Sequence, residues 1–127
     1  MFEVREKPRR VERALLVSVV WRKEEEPRAN SLLEELSELV QNLGIEVIGS
    51  SLVRARKTYP TYLLGKGKME EIIALAEAGE CDVIVFDNEL TPGQQRNWEE
   101  TSKALVIDRH EIILDVFAER ARTREAV

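Results

Sequence analysis

At 127 residues the chain has the length of one domain, enough to bury about two-thirds of the surface its unfolded form exposes. Its 43% hydrophobic and 34% charged content excludes a disordered or fibrous protein, and 6% aromatic content predicts an aliphatic core. The net charge of −5 excludes a uniformly basic surface, but Arg54 to Lys68 holds five cations and no acid, so that stretch is +5 and the remainder −10.

Residues 1–13 are highly charged and hold Pro8, the pattern of an N-terminal arm with an edge strand near Phe2 to Val4. Ala14 to Trp21, ALLVSVVW, is rich in β-branched residues and reads as a strand buried on both faces. RKEEEP follows as a polar loop, and Ser31 with Glu34 makes an S-x-x-E capping box that predicts a helix start. Leu32, Leu33, Leu36, Leu39, Val40 and Leu43 recur at helical spacing, up to a left-handed stop at Gly44. Ile45 to Val53 reads as a second strand with Gly49 as a bulge.

After the basic stretch, Met69, Ile72, Ile73 and Ala76 mark a helical face that ends at Gly79. Asp82 to Asp87, DVIVFD, is a third strand. Thr91 is then an N-cap, Pro92 takes the first helical position, and Gln94 completes a T-x-x-Q box for a helix reaching Lys103. Ala104 to Ile107 is a fourth strand, and Asp108 with Glu111 caps a last helix carrying Ile112, Ile113, Val116 and Phe117. The alternation predicts an α/β fold, a mostly parallel sheet of about four strands with helices on both faces. The division is an arm over 1–13, the α/β domain over 14–118 and the start of a helical segment over 119–127.

Ligands of such sheets sit outside the carboxyl ends of the strands. Those ends carry Trp21, Arg22 and Lys23; Arg54, Arg56 and Lys57; Asp87, Asn88 and Glu89; and Asp108, Arg109 and His110. The basic stretch, with Tyr59 and Tyr62 interleaved, suits phosphate contact and base stacking, or is a solvated loop kept soluble by its charges. YLLGKGKM fails as a phosphate-binding loop because Tyr62 stands where the first glycine belongs and Met69 follows Lys68. It remains either a turn or a glycine-rich helix entry able to hold one phosphate beside Lys66 and Lys68.

Cys81 is the only cysteine, which excludes an intrachain disulfide and a thiolate zinc cluster and fits a reducing cytoplasm. No apolar run approaches the approximately 20 residues of a membrane span, and no signal peptide precedes Ala14. A single histidine, His110, excludes metal sites built from several imidazoles. The acids at 24–26 and the pair Asp87 and Glu89 have no second converging motif, so the expectation is no metal and no catalytic residue.

Two stretches resemble the N-terminal domain of HflX-type ribosome-associated GTPases. YLLGKGKMEEI is similar to that family's Y-x-x-G-x-G-K-x-x-E segment through Tyr62, Gly65, Gly67, Lys68 and Glu71. The second stretch matches in Phe86, Asp87, Pro92, Gln94, Arg96 and Asn97, then in VIDR and ILDVFAERART through Thr123, with His110 in place of a threonine and Ala126 in place of a glycine. The resemblance implies a parent that continues into a helical hairpin and a GTPase domain with its own GTP and Mg site. It also implies a parent that binds the large ribosomal subunit and helps split or rescue ribosomes under stress.

On that resemblance the chain is a non-catalytic domain that holds no cofactor itself, contacts rRNA and regulates its parent's GTPase domain. Arg54, Arg56, Lys57, Lys66 and Lys68 are the candidates for RNA phosphate, and Gly65 and Gly67 serve loop geometry. The alternative is a nucleotide (ATP)-binding module at the carboxyl edge of the sheet, using Gly65 to Lys68 and Arg109, with Asp87 and Arg109 as a candidate sheet-edge site; the resemblance also implies ATP handling by the N-terminal region of some members.

Overall fold

The computed structural model describes residues 11–115. Strands and helices alternate as β1 (Arg13–Val20), a single 3-10 turn (Lys23–Glu25), α1 (Glu26–Asn42), β2 (Glu46–Arg54), α2 (Lys66–Ala78), β3 (Val83–Phe86), α3 (Pro92–Ser102) and β4 (Leu105–Asp108). Residues 109–115 form a further helix, α4. The four strands are parallel in the order β2-β1-β3-β4, so the fold is α/β as the alternation predicts. From the central β1 the chain winds first to one side and then to the other, which puts the topological switch between β1 and β3.

β1 is buried from Ala14 to Val20 because it feeds two cores at once. Leu15, Val17 and Val19 face α2 and α3 together with Met69, Ile72 and Trp98. Ala14 and Leu16 face α1 and α4 together with Leu36, Val40 and Ile112. The bulge expected at Gly49 is formed by its neighbour: Ala14 pairs with Val47 and Leu15 with Gly49, which leaves Ile48 as the extra residue. Gly79 closes α2 against that bulge, since a Cβ there would meet Ile48 Cγ2 at 2.9 Å. Gly44 ends α1's exit turn at φ +83°, the left-handed conformation its position calls for.

The Thr91 capping box is present in both directions, with Gln94 N donating to Thr91 Oγ1 at 3.1 Å and Thr91 N to Gln94 Oε1 at 3.0 Å. One start signal was misleading. α1 begins at Glu26 with Pro27 in its first turn, five residues before the S-x-x-E box, and Ser31 and Glu34 lie on its exposed side. The polar run expected as a loop folds because Glu25 accepts the backbone N–H groups of Trp21 at 2.8 Å and Arg22 at 2.9 Å, while Pro27 presets the first-turn φ. These two hydrogen bonds hold the Glu25 carboxyl below its ordinary pKa. The outer edge of β4 is closed by α3: Gln95 Nε2 donates to Val106 O at 2.9 Å, and Val106 N donates to Glu99 Oε2 at 3.0 Å, from side chains one turn apart. The predicted strand near Phe2 to Val4, the helical positions Val116 and Phe117, and the segment 119–127 lie outside the described residues. Among the described residues no helix is long and apolar enough to cross a membrane.

Candidate nucleic-acid interface

The basic stretch is an ordered connector rather than a loose loop. Ala55, Leu63 and Leu64 are buried and anchor it, and Tyr59 and Leu63 exchange backbone hydrogen bonds of 3.2 and 2.8 Å across a one-residue bridge. Leu63 takes φ +75°, a left-handed backbone that a branched residue adopts at a cost of about 1–2 kcal/mol. The connector is held from α3: Trp98 Nε1 donates to Tyr62 O at 2.9 Å, and Asn97 Nδ2 to Thr61 O at 3.0 Å. Trp98 is fully buried, with its ring edge-on to Phe86 at 4.9 Å and to Tyr62 at 6.1 Å.

Held this way, the connector turns three of its five cations into one cleft of about 670 Å³ at the carboxyl ends of β1 and β2. Arg54, Arg56 and Lys68 line it with Trp21 and Tyr59, beside Gly65, Gly67 and one acid, Glu71. Lys57 lies outside the lining, with its Nζ 5.3 Å from the centroid of the Tyr59 ring, and Lys66 is exposed at the first position of α2. Arg54 pairs with Glu26 at 3.3 Å, both side chains being partly solvated, so the pair contributes little. Among the described residues Arg56, Lys57, Lys66 and Lys68 have no ion-pair partner.

The α2 N-terminus opens on the same cleft. Gly65 is its N-cap in an extended conformation, no side chain caps it, and no acid occupies the first turn. The N–H groups of the first turn therefore lack intrahelical acceptors, and the helix dipole favours an anion there. Neither glycine has a positive φ, and a Cβ on Gly67 would meet nothing within 4 Å, so Gly67 leaves the helix entry bare between Lys66 and Lys68. Of the two tyrosines singled out from the sequence, Tyr59 lines the cleft and Tyr62 turns to α3, its hydroxyl 3.3 Å from Thr101 Oγ1.

The other end of the carboxyl edge brings Asp87 and Arg109 together and closes on itself. Arg109 Nε lies 3.2 Å from Asp87 Oδ1 and its Nη2 2.6 Å from Glu35 Oε1. Burial raises the Asp87 pKa above the ordinary carboxylate value, Arg109 opposes the rise and Glu35 adds to it. At the switch point Asn88 continues the β3 ladder with its side chain: Val19 N donates to Asn88 Oδ1 at 2.8 Å, and Asn88 Nδ2 donates to Val19 O at 2.9 Å. Asp108 accepts Leu90 N at 3.0 Å and Glu111 N at 3.2 Å. Among the described residues this end keeps a hollow of about 180 Å³ lined by Asp87, Glu89, Arg109, His110 and Ile113, below the roughly 300 Å³ at which ligand pockets begin.

Trp21, Asn88 and Trp98 are the residues that sequence reasoning left without a role. Trp21 and Asn88 follow directly on buried strands, the position at which a side chain meets the carboxyl edge; nothing in the pattern around Trp98 announces its bond to the connector.

A family model described as GTP-binding GTPase N-terminal matches residues 30–118. The GTPase HflX of Akkermansia muciniphila is 51% identical over 126 residues, which is 99% of this chain and 29% of that protein. The GTPase HflX of Magnetococcus marinus is 39% identical over 100% of the chain and 29% of its own length, and that of Escherichia coli 36% identical over 90% and 26%. The chain thus spans under a third of these relatives. A crystal structure of an SsGBP variant matches 84% of the chain and 32% of its own with a TM-score of 0.59 at 21% identity, a likeness of fold alone.

Proposed function

The chain belongs to the GTP-binding GTPase N-terminal family, as the N-terminal domain of HflX-type GTPases, and from that membership we propose that it is the rRNA-binding and regulatory part of such an enzyme. The parent binds and hydrolyses GTP with Mg in a separate GTPase domain, associates in the cytoplasm with the large ribosomal subunit, and splits or rescues ribosomes under stress. This domain contributes no reacting group; it contacts rRNA and answers to its own GTPase domain.

The observation that carries the reading is the cleft: on a chain of net charge −5, Arg54, Arg56 and Lys68 converge beside an uncapped helix N-terminus. Phosphate contacts of this kind position a protein on RNA without reading its sequence, and each releases counterions, so affinity falls with salt. Replacing Arg54, Arg56, Lys57, Lys66 and Lys68 together by Ala should weaken binding to large subunits or helical rRNA fragments and flatten the salt dependence. Unchanged affinity and slope would reassign the surface.

The same cleft favours one second reading, a nucleotide-binding module, because its volume suits a nucleotide and Gly65, Gly67 and Lys68 line it. Calorimetry with ATP and GTP separates the two: binding of free nucleotide as tight as that of RNA supports the module, and none at millimolar concentration removes it.

A further inference from the structure

Resting on the RNA reading of the cleft, we propose that its ligand is a single-stranded stretch of RNA, of which one unstacked nucleotide enters between the cations and Tyr59, rather than the backbone of a duplex. A duplex is a convex rod whose phosphates are met by cations standing out from a surface. Here Arg54, Arg56 and Lys68 line a concavity of about 670 Å³, a volume that accepts a base and its phosphate together. Cations and aromatic rings sharing one concave site are the equipment of single-strand recognition, in which splayed bases stack on rings while lysine and arginine follow the backbone.

Tyr59 is built for that role. The residue is 36% exposed, yet its position is fixed by the backbone bridge to Leu63 and by packing on Gly65, where a Cβ would lie 3.5 Å from the ring. Lys57 rests over this ring at 5.3 Å. An exposed cation–π contact is weaker than the stacking of a base, so an entering base displaces Lys57, and the released ammonium becomes available to the phosphate. Trp21, whose indole Nε1 has no hydrogen-bond partner among the described residues, lines the same cleft and supplies a second aromatic surface.

The test uses the 127-residue chain with single-stranded oligouridylate, a blunt RNA duplex of equal phosphate number, and uridine monophosphate. The expected result is tighter binding of the single strand than of either other probe. Tyr59→Ala should lose about tenfold in single-strand affinity, keep the wild-type salt slope and leave duplex binding unchanged, and Tyr59→Phe should restore the single-strand affinity. Tyr59 is a surface side chain, and far-UV circular dichroism of the Ala variant checks that it folds. Equal or tighter duplex binding, a Tyr59→Ala variant that binds the single strand as the wild type does, or uridine monophosphate binding as tightly as the oligomer overturns the proposal. These failures differ from failure of the RNA reading itself, in which removing the five cations changes no RNA affinity.

Discussion

The two ends of the sheet's carboxyl edge start from similar material and spend it differently. At the β3–β4 end Arg109 pairs with both Asp87 and Glu35, Asn88 completes the ladder of β1, and Asp108 holds a loop and a helix start. At the β1–β2 end the polar groups face outward: three cations line a cleft, and among the described residues only Arg54 of the five has an ion-pair partner. In this family of folds the switch point between β1 and β3 is the usual place for a ligand. Here a carboxamide bridges that crevice, and the open concavity lies one strand over. Charge at a strand end therefore stays available to a ligand only where the fold has not already paired it.

The open end depends most heavily on Trp98. Trp98→Ala should cost about 3–5 kcal/mol in urea denaturation, because it empties a fully buried site and removes the bond to Tyr62 O that holds the connector. RNA affinity should fall with it even though Trp98 lies outside the cleft. Trp98→Phe keeps most of the packing and should lose about 1 kcal/mol while still loosening the connector.

Arg109→Ala attacks the closed end alone. It should cost about 2 kcal/mol, below the roughly 3–5 kcal/mol of a fully buried pair because Arg109 retains 18% exposure, and it should leave RNA affinity unchanged. The pH dependence has a definite sign. The folded Asp87 carboxyl has a raised pKa, so its contribution is full below the unfolded value and is lost as pH rises through the folded one. Without Arg109 the folded pKa rises further, so the deficit of Arg109→Ala should be larger at neutral pH than in the acid range. Lys68→Ala is the converse: stability within about 0.5 kcal/mol of wild type in the same denaturation and a several-fold loss of RNA affinity.

Much of this contrast is legible in the sequence. Aliphatic runs and helical spacing located all four strands, and Thr91 with Gln94 placed the start of α3, because these signals are local. The S-x-x-E box misled because Ser31 and Glu34 also fit an exposed helix face, while the operative signals were Pro27 and the reach of Glu25 back to Trp21. The five cations are contiguous enough to be found as a cluster, but their division is a tertiary property. Nothing local distinguishes Lys66, which lies outside the cleft lining, from Lys68, which lines it two residues later; the turn of α2 decides it. Asn88 and Trp98 act on residues 69 and 36 positions away, beyond the range of any motif.

The smallest effect tests how finely the open end is set. Glu25 holds the turn that carries Trp21 through two backbone N–H groups, and these bonds lower its pKa in the folded chain. Its contribution is therefore present above the unfolded carboxylate value and is lost as pH falls through the lower, folded value. Glu25→Gln keeps an acceptor oxygen but not the charge, so the urea midpoints of variant and wild type should differ slightly at neutral pH and converge in acid. The same variant should weaken single-strand binding at neutral pH, because relaxing the Glu25 bonds frees the turn and moves Trp21, one wall of the cleft. If the stability curves converge as expected while RNA affinity stays constant, the Trp21 wall is dispensable, and recognition at this end rests on Tyr59 and the cations.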